Sequence, residues 1–233
     1  MRIIYLLFFL LFIAGCSKGP APAPTVAFGY NRNVFEVGEK IEVVNKSQNV
    51  TRYEWFIDSS RDSVKTDANP IFNGRTTVGT HTITLEGYNA DGVKNEAVNP
   101  FQVGERRLSL VRITAVNLSR PNGQPWHADG SGPDVYVVLT SPTGVVIRTV
   151  DYTNVQASTL PLIAAFFNNS EPILRNGNWS LQFYDNNGGR TPELMFTMPI
   201  VLTAPPADRN VDGYGTYTFQ SGNYAAKFEI NTL

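Results

Sequence analysis

The fold of this chain is decided by residues 53–58, which read Tyr-Glu-Trp-Phe-Ile-Asp. Tyr53, Trp55 and Ile57 share one face of an extended segment, because successive side chains of a strand point to opposite sides. A large indole on that face predicts that Trp55 is a core residue of a β-sandwich. A surface tryptophan that stacks on carbohydrate is the alternative interpretation.

Short alternating segments continue on both sides of this strand. The clearest of them is residues 78–88, which run into an Ala-Asp-Gly turn at residues 90–92. We therefore predict six or seven strands between residues 25 and 104. The same alternation places His81 beside Ile83 and Leu85, which predicts a packed, hydrogen-bonded histidine and not a catalytic one.

These motifs resemble a known extracellular domain. The Tyr-Glu-Trp strand and the segment Gly-Thr-His-Thr-Ile-Thr-Leu at residues 79–85, followed by Asn-Ala-Asp-Gly at 89–92, are similar to the PKD (polycystic kidney disease) domain. That family is an immunoglobulin-like β-sandwich common in extracellular bacterial proteins, and the resemblance covers most of residues 25–104. It implies a spacer, or a module that contacts proteins or glycans.

A second β-rich domain is predicted for residues 105–233. Residues 105–107 read Glu-Arg-Arg and are interpreted as a short charged hinge. About eight strands follow, enough for a second antiparallel sandwich. They are predicted at residues 108–118, 135–139, 145–150, 160–167, 179–184, 194–202, 215–219 and 224–230. The segment 160–167 lacks clean alternation, so a short helix is equally compatible with it.

Two loops of this domain carry oxygen ligands. Asp129 and Asp134 precede one strand, and Asp185 and Asn187 end another. Clustered Asp and Asn with glycine are the groups from which calcium sites are built, although the same residues are ordinary turn formers.

The arrangement of the loops is similar to the C-two domain of protein kinase C, a calcium-dependent lipid-binding sandwich. The segment Ser-Gly-Pro-Asp-Val-Tyr at 131–136 and the segment Tyr-Asp-Asn-Asn at 184–187 carry the resemblance. It implies calcium ligands at Asp134, Asp185 and Asn187, and Asp129 is a further candidate ligand on the first loop. Asparagines replace family carboxylates at 186 and 187, which makes a weak or metal-free site plausible.

Residues of the same loops are compatible with two other chemistries. His127 is predicted to hydrogen-bond locally, because the domain has no second histidine or cysteine to complete a zinc site. Asp129 and Asp134 could form the carboxylate pair of a glycosidase, but both lie on one short loop that does not fix their separation.

The amino terminus has the pattern of an export signal. Arg2 precedes an apolar run at residues 3–14, which suits a signal-peptide core and is too short to span a bilayer. The run ends Ile-Ala-Gly-Cys at residues 13–16, which resembles a bacterial lipobox. The resemblance implies cleavage after residue 15 and lipidation of Cys16, including palmitate. Residues 16–24 are then a proline-rich spacer, and Ser17 resembles the pattern of lipoproteins sent to the outer membrane.

Composition narrows the function classes. The 233 residues carry a net charge of -1, two histidines and one cysteine, without a CxxC, HExxH, GxSxG or phosphate-loop motif. We therefore expect no nucleic-acid binding and no enzyme activity. The sequence predicts an all-β protein of two tandem antiparallel sandwiches, held on the outer membrane by its lipid anchor and binding an envelope protein or glycan. The alternatives are a glycan or ester hydrolase that uses the loop carboxylates, and a structural subunit of an envelope complex.

Overall fold

A computed structural model describes residues 19–165, 171–187 and 190–233. These residues form β-strands and one 3₁₀ turn at Ala157–Thr159, which confirms the predicted all-β fold. In the described part of the chain, no helix combines the length and apolarity that a membrane span requires. The predicted signal peptide 1–15 and the predicted lipidation site Cys16 lie outside the described residues.

Sixteen strands are found in the described residues. They are β1 (Phe28–Tyr30), β2 (Val34–Glu36), β3 (Ile41–Asn45), β4 (Arg52–Ile57), β5 (Ser60–Lys65), β6 (Ile71–Phe72), β7 (Gly79–Tyr88), β8 (Lys94–Gly104), β9 (Arg106–Ala115), β10 (Val135–Thr140), β11 (Val146–Arg148), β12 (Leu162–Ala165), β13 (Gly177–Asp185), β14 (Glu193–Leu202), β15 (Gly215–Ser221) and β16 (Tyr224–Thr232).

The strands assemble into four sheets. Strands β1 to β8 form sheets of order β1-β3-β6 and β2-β8-β7-β4-β5, in which β2 runs parallel to β8. Strands β9 to β16 form two four-stranded antiparallel sheets of order β11-β10-β13-β14 and β12-β9-β16-β15. The eight strands predicted beyond residue 105 are therefore present, and the ambiguous segment contains strand β12.

The chain divides into two compact units. Among the described residues, unit 1 contains residues 19–31, Glu42–Phe72 and His81–Pro100, whereas unit 2 contains Arg32–Ile41, Asn73–Thr80 and all that follows residue 100. Each unit is therefore built from discontinuous segments. The boundary between residues 104 and 105, which rests on the Glu-Arg-Arg segment and on the extent of the PKD resemblance, stays a prediction.

Trp55 lies at the centre of unit 1. Its side chain is fully buried, its ring meets Phe28 edge-on at 5.1 Å, and its indole N–H donates to the Asp67 carbonyl at 2.9 Å. The core interpretation of Trp55 is confirmed. His81 is hydrogen-bonded to Asp58 through Nδ1 at 2.9 Å and is mostly buried, as the alternation of this strand predicted.

The opposite face of β4 is also covered. Phe56 points away from Trp55 yet is buried, because the Arg61 guanidinium lies over its ring at 4.4 Å. Beside them, Glu86 is buried and accepts hydrogen bonds from Arg61, Lys94 and the Tyr88 hydroxyl. Cross-strand cation–aromatic and ion-pair contacts therefore shield this face of the sheet.

The core of unit 2 lies between its two four-stranded sheets. Its large members come from the inward-facing positions of every second residue, as a sandwich requires. They include Leu108, Val111, Ile113, Val135, Val137, Leu139, Trp179, Leu181, Phe183, Met198, Ile200, Ala226, Phe228 and Ile230. Two of its rings, Phe196 and Tyr224, stack at 4.5 Å.

A buried ion cluster holds residues 32–41 within unit 2. Glu36 accepts two hydrogen bonds from Arg106, at 3.0 and 2.6 Å, and lies 3.2 Å from a guanidinium nitrogen of Arg209. Arg209 also donates to Glu39 at 2.8 Å, and its side chain is 2% exposed. The charged-hinge interpretation is wrong for Arg106, which begins β9 and is buried in this cluster.

Part of the predicted spacer lies against unit 1. The Ala21 amide donates to Asp91, and the Asn89 side chain donates to the carbonyls of Ala21 and Pro22. Asn95 likewise donates to the Pro24 carbonyl at 3.2 Å. Residues 21–24 are therefore tied to the domain and do not extend away from it.

Candidate binding site at the loop end of unit 2

Antiparallel pairing brings the two predicted loops together. Val135 at the start of β10 pairs with Asp185 at the end of β13, so Asp134 and Asp185 meet although they are 51 residues apart in sequence. The Asp134 amide donates to Asp185 Oδ1 at 2.7 Å, and the Asn186 amide donates to the Asp134 carbonyl at 2.7 Å. The carboxylate of Asp185 therefore extends the hydrogen bonding between β10 and β13 beyond their last paired residues.

Asp185 is an interior residue. Its side chain is 0% exposed, and Oδ1 lies 3.3 Å from His127 Nε2. Its second oxygen, Oδ2, is buried without a hydrogen-bond partner among the described residues. The sequence contained a signal for this burial, because Trp179, Leu181, Phe183 and Asp185 alternate on the inward face of one strand.

Asp134 and Asn154 continue the hydrogen-bonded chain into a third loop. Asp134 Oδ1 accepts from the Asn154 amide at 2.7 Å, and Asn154 Oδ1 accepts from the Gly132 amide at 2.9 Å. Gly132 must lack a side chain, since a Cβ there would lie 2.0 Å from the Val155 carbonyl oxygen. Three loops are thus fixed to one another by side-chain to backbone bonds.

Asp129 and His127 organise the first loop. Asp129 Oδ1 accepts from the Ser131 hydroxyl at 2.7 Å and from the Ser131 amide at 2.9 Å. These two bonds hold the pKa of Asp129 below its ordinary value. His127 Nδ1 lies 2.9 Å from the Ser131 hydroxyl, which confirms the predicted local hydrogen bond of this histidine.

Residues of the first two loops, together with Arg120, line a cavity of about 850 Å³, which we call the loop-end cavity. Three of the predicted site residues, Asp129, Asp134 and Asn187, line it, whereas Asp185 lies behind the wall. The remaining lining residues are Arg120, Trp126, His127, Ala128, Arg190, Thr191 and Glu193.

Arg120 and Glu193 form one wall of this cavity. They are joined by an ion pair of 2.7 Å, and the Arg120 guanidinium also lies 5.0 Å from the Trp126 ring centre and donates to the Trp126 carbonyl. Sequence reasoning missed both residues, because they are 73 positions apart and neither belongs to a motif.

Ser131, His127 and Asp185 stand in the order of a hydrolase's nucleophile, base and orienting acid. The Ser131 hydroxyl, however, donates its hydrogen to Asp129, so it is not directed at His127 as a nucleophile activated by that base would be. The amides of Gly130, Ser131 and Gly132 are also committed, to the His127 carbonyl, Asp129 and Asn154 respectively. This geometry fixes the loop and offers no pair of free amides for an oxyanion.

The same commitments bear on the calcium prediction. Across residues 19–165, 171–187 and 190–233, no group of three or more His, Cys, Asp or Glu side chains is placed to hold a metal ion. Oxygens of Asp129, Asp134 and Asp185 already accept hydrogen bonds from backbone amides. Calcium binding at Asp129, Asp134, Asp185 and Asn187 therefore stays a prediction from the sequence.

Comparison with known proteins finds similarity only among solved structures. No family model and no curated protein matches the chain. A structure from work on the promiscuous specificity of carbohydrate-binding modules of the β-sandwich superfamily is 11% identical, covers 92% of this chain and 92% of that chain, and has a TM-score of 0.33.

Two further structures are similar at the same level. Fibronectin(III)-like modules of Clostridium thermocellum CbhA are 17% identical over 77% of this chain and 93% of that one, with a TM-score of 0.31. Dimeric latent PorU from Porphyromonas gingivalis is 13% identical over 79% of this chain and 20% of that one, with a TM-score of 0.30. Similarity at this level does not extend to a ligand or an activity.

Proposed function

We propose that this chain is a non-catalytic binding protein of the bacterial cell envelope, held on the outer membrane by lipidated Cys16, and that its loop-end cavity binds a glycan. The observation that carries the proposal is the hydrogen-bonded chain from Asp185 through Asp134 and Asn154 to Gly132. It ties the two loops that line the cavity to each other and to a third loop before any ligand arrives, and a preorganised rim lowers the entropy cost of binding.

The cavity lining favours a ligand rich in hydroxyl groups. Each hydroxyl both donates and accepts, so it suits a surface on which donors and acceptors are interspersed. Arg190 and Asn187 can donate there, while Asp129, Asp134 and Asn187 can accept. The ion pair of Arg120 with Glu193 keeps either charge from dominating the wall, and a neutral glycan needs no charge partner.

Binding is favoured over hydrolysis because the candidate catalytic groups are already engaged. Asp185 is buried, and Asp129 and Asp134 are held by backbone amides. A general acid needs access to its substrate and freedom to exchange a proton in the bound complex. In this cavity, the carboxylates instead act as supports for the loops.

A broad screen for glycosidase and esterase turnover on the soluble mature chain separates these readings. We expect no turnover above that of a Ser131→Ala control. Turnover that is lost in both Asp134→Asn and Asp185→Asn, with their folds intact by circular dichroism, would establish the hydrolase alternative.

Membrane anchoring has its own test, because it depends on residues 13–16 and on nothing in the cavity. A fatty-acid probe fed to the producing cells should label the wild-type protein, and Cys16→Ser should remove the label, since only a thiol forms the thioether. Fractionation of the labelled protein into the outer membrane supports the proposed location. Continued labelling of the serine variant would contradict the lipobox interpretation.

A further inference from the structure

Unit 2 has a second cavity, of about 620 Å³, at the end of its sandwich opposite the loop-end cavity. Asp134 and Asp185 mark where β10 starts and β13 ends, whereas this cavity lies where β10 ends and β13 starts. We call it the hairpin-end cavity, because the β10–β11 hairpin forms one side. The lining residues that matter below are Arg107, Val145, Ile147, Ile173, Arg175 and Trp179.

The interior of the hairpin-end cavity is apolar. Trp179 is buried, and its indole N–H already donates to the Arg175 carbonyl at 2.9 Å, so the remainder of the ring offers only apolar surface. Val145 and Ile147 on the hairpin and Ile173 on the facing segment add branched aliphatic walls. An aromatic ring or branched chain that entered would exchange water contact for these carbons.

The charged groups of the lining are two arginines and one glutamate. Arg107 and Arg175 share a single carboxylate, that of Glu105, and each lies 3.6 Å from it, beyond hydrogen-bond distance. The Arg175 side chain is 73% exposed. Glu171 is the acidic member of the lining, so with Glu105 beside the arginines two guanidinium groups face two carboxylates.

We infer that the hairpin-end cavity binds an apolar carboxylate, meaning an aromatic or branched aliphatic group that carries a free carboxylate. The apolar group would fill the space over Trp179, and the carboxylate would replace the long contacts of Arg107 and Arg175 with direct hydrogen bonds. Guanidinium groups are suited to this, because their planar fork of donors matches the two carboxylate oxygens. A free acid and the C-terminal residue of a peptide share this chemistry. The site is independent of the glycan proposal, since the two cavities share no lining residue.

Proton–nitrogen NMR of the indole N–H groups tests the inference on the soluble mature chain, with 4-phenylbutyrate as the probe. The indole N–H resonance of Trp179 is assigned by its loss in the spectrum of Trp179→Phe. Titration with 4-phenylbutyrate should shift this resonance with a Kd of roughly 1 mM or tighter, while the resonances of Trp55 and Trp126 stay in place. The uncharged amide, 4-phenylbutyramide, should bind at least fivefold more weakly. A tetraglycyl-phenylalanine peptide and its C-terminal amide form the second arm, and preference for the free peptide over 4-phenylbutyrate assigns the source as a peptide C-terminus.

Two exposed substitutions and one control complete the test. Arg175→Gln removes a guanidinium partner of the carboxylate and should weaken binding about fivefold or more. Val145→Asp places a negative charge in the apolar wall and should abolish binding. Both positions are solvent-exposed, so the fold should be retained. Arg190→Gln, in the other cavity, should leave it unchanged. Equal binding of acid and amide, no Trp179 shift at 10-fold the expected Kd, or an undiminished shift in Val145→Asp would each overturn the inference.

Discussion

Glu36→Ala is the substitution that should destabilise unit 2 most clearly. Glu36 takes two hydrogen bonds from Arg106 and faces Arg209, and the side chains of these arginines are only 5% and 2% exposed. The substitution therefore leaves two buried cations short of an anion, with Arg106 keeping its Asn176 hydrogen bond and the Tyr217 ring, and Arg209 keeping Glu39 and a carbonyl. Removing one partner of a buried ion pair costs about 3–5 kcal/mol.

Urea unfolding followed by tryptophan fluorescence measures this loss, and thermal melts should show a fall of roughly 6–20 °C for a chain of this size. Glu229→Ala is the matched control, because its ion pair with Arg112 is partly exposed, at 40% and 30% of the two side chains, and should contribute less than about 1 kcal/mol. Glu36→Gln, which keeps one acceptor oxygen, should fall between the two. A Glu36→Ala loss no greater than that of Glu229→Ala would refute the buried-cluster argument.

Three further predictions follow from the same structure. Trp55→Ala should lower the free energy of urea unfolding by about 3–5 kcal/mol, since it leaves a cavity at a fully buried site. A loss below about 1 kcal/mol would contradict the core role of Trp55. Burial raises the pKa of Glu86, but bonds from Lys94, Tyr88 and Arg61 outweigh it and lower the pKa overall. A carboxylate whose pKa is lowered in the folded state stabilises the protein at pH values above its unfolded pKa of about 4.3, and this stabilisation is lost as the pH falls. Glu86→Gln should therefore make the free energy of unfolding fall less steeply on the acid side. An unchanged acid dependence would contradict this. If the predicted site at Asp129, Asp134, Asp185 and Asn187 binds calcium, millimolar calcium should raise the melting temperature and Asp134→Asn should remove most of the rise. Identical melts in calcium and in chelator would contradict the calcium prediction.

The strands were predictable because they depend on local patterns. Alternation around Trp55 located β4, and alternation in residues 135–139 and 179–184 located β10 and β13. Burial of Phe56 was not predictable from its own strand, because the covering group is Arg61 on the next strand. Likewise, Arg106 could be recognised as buried only with knowledge of Glu36, which lies 70 residues away.

The candidate site was predictable in position but not in the role of each residue. Antiparallel pairing brought Asp134 and Asp185 together, as the loop placement suggested. The residue type of Asp185 suggested a metal ligand, whereas its position predicts burial. It follows Trp179, Leu181 and Phe183 at alternate positions of β13, all of which face the core. The Arg120–Glu193 wall depends on pairing over 73 residues and had no local signal.

A glycan array probed with the soluble mature chain tests glycan binding at the loop-end cavity. We expect the array to retain the chain on at least one envelope or extracellular glycan. The double substitution Asn187→Ala with Arg190→Ala should weaken this binding at least tenfold, and Arg112→Ala, away from the cavity, should leave it unchanged. Retention that survives the double substitution undiminished, or a folded chain that retains no glycan on the array, would contradict it.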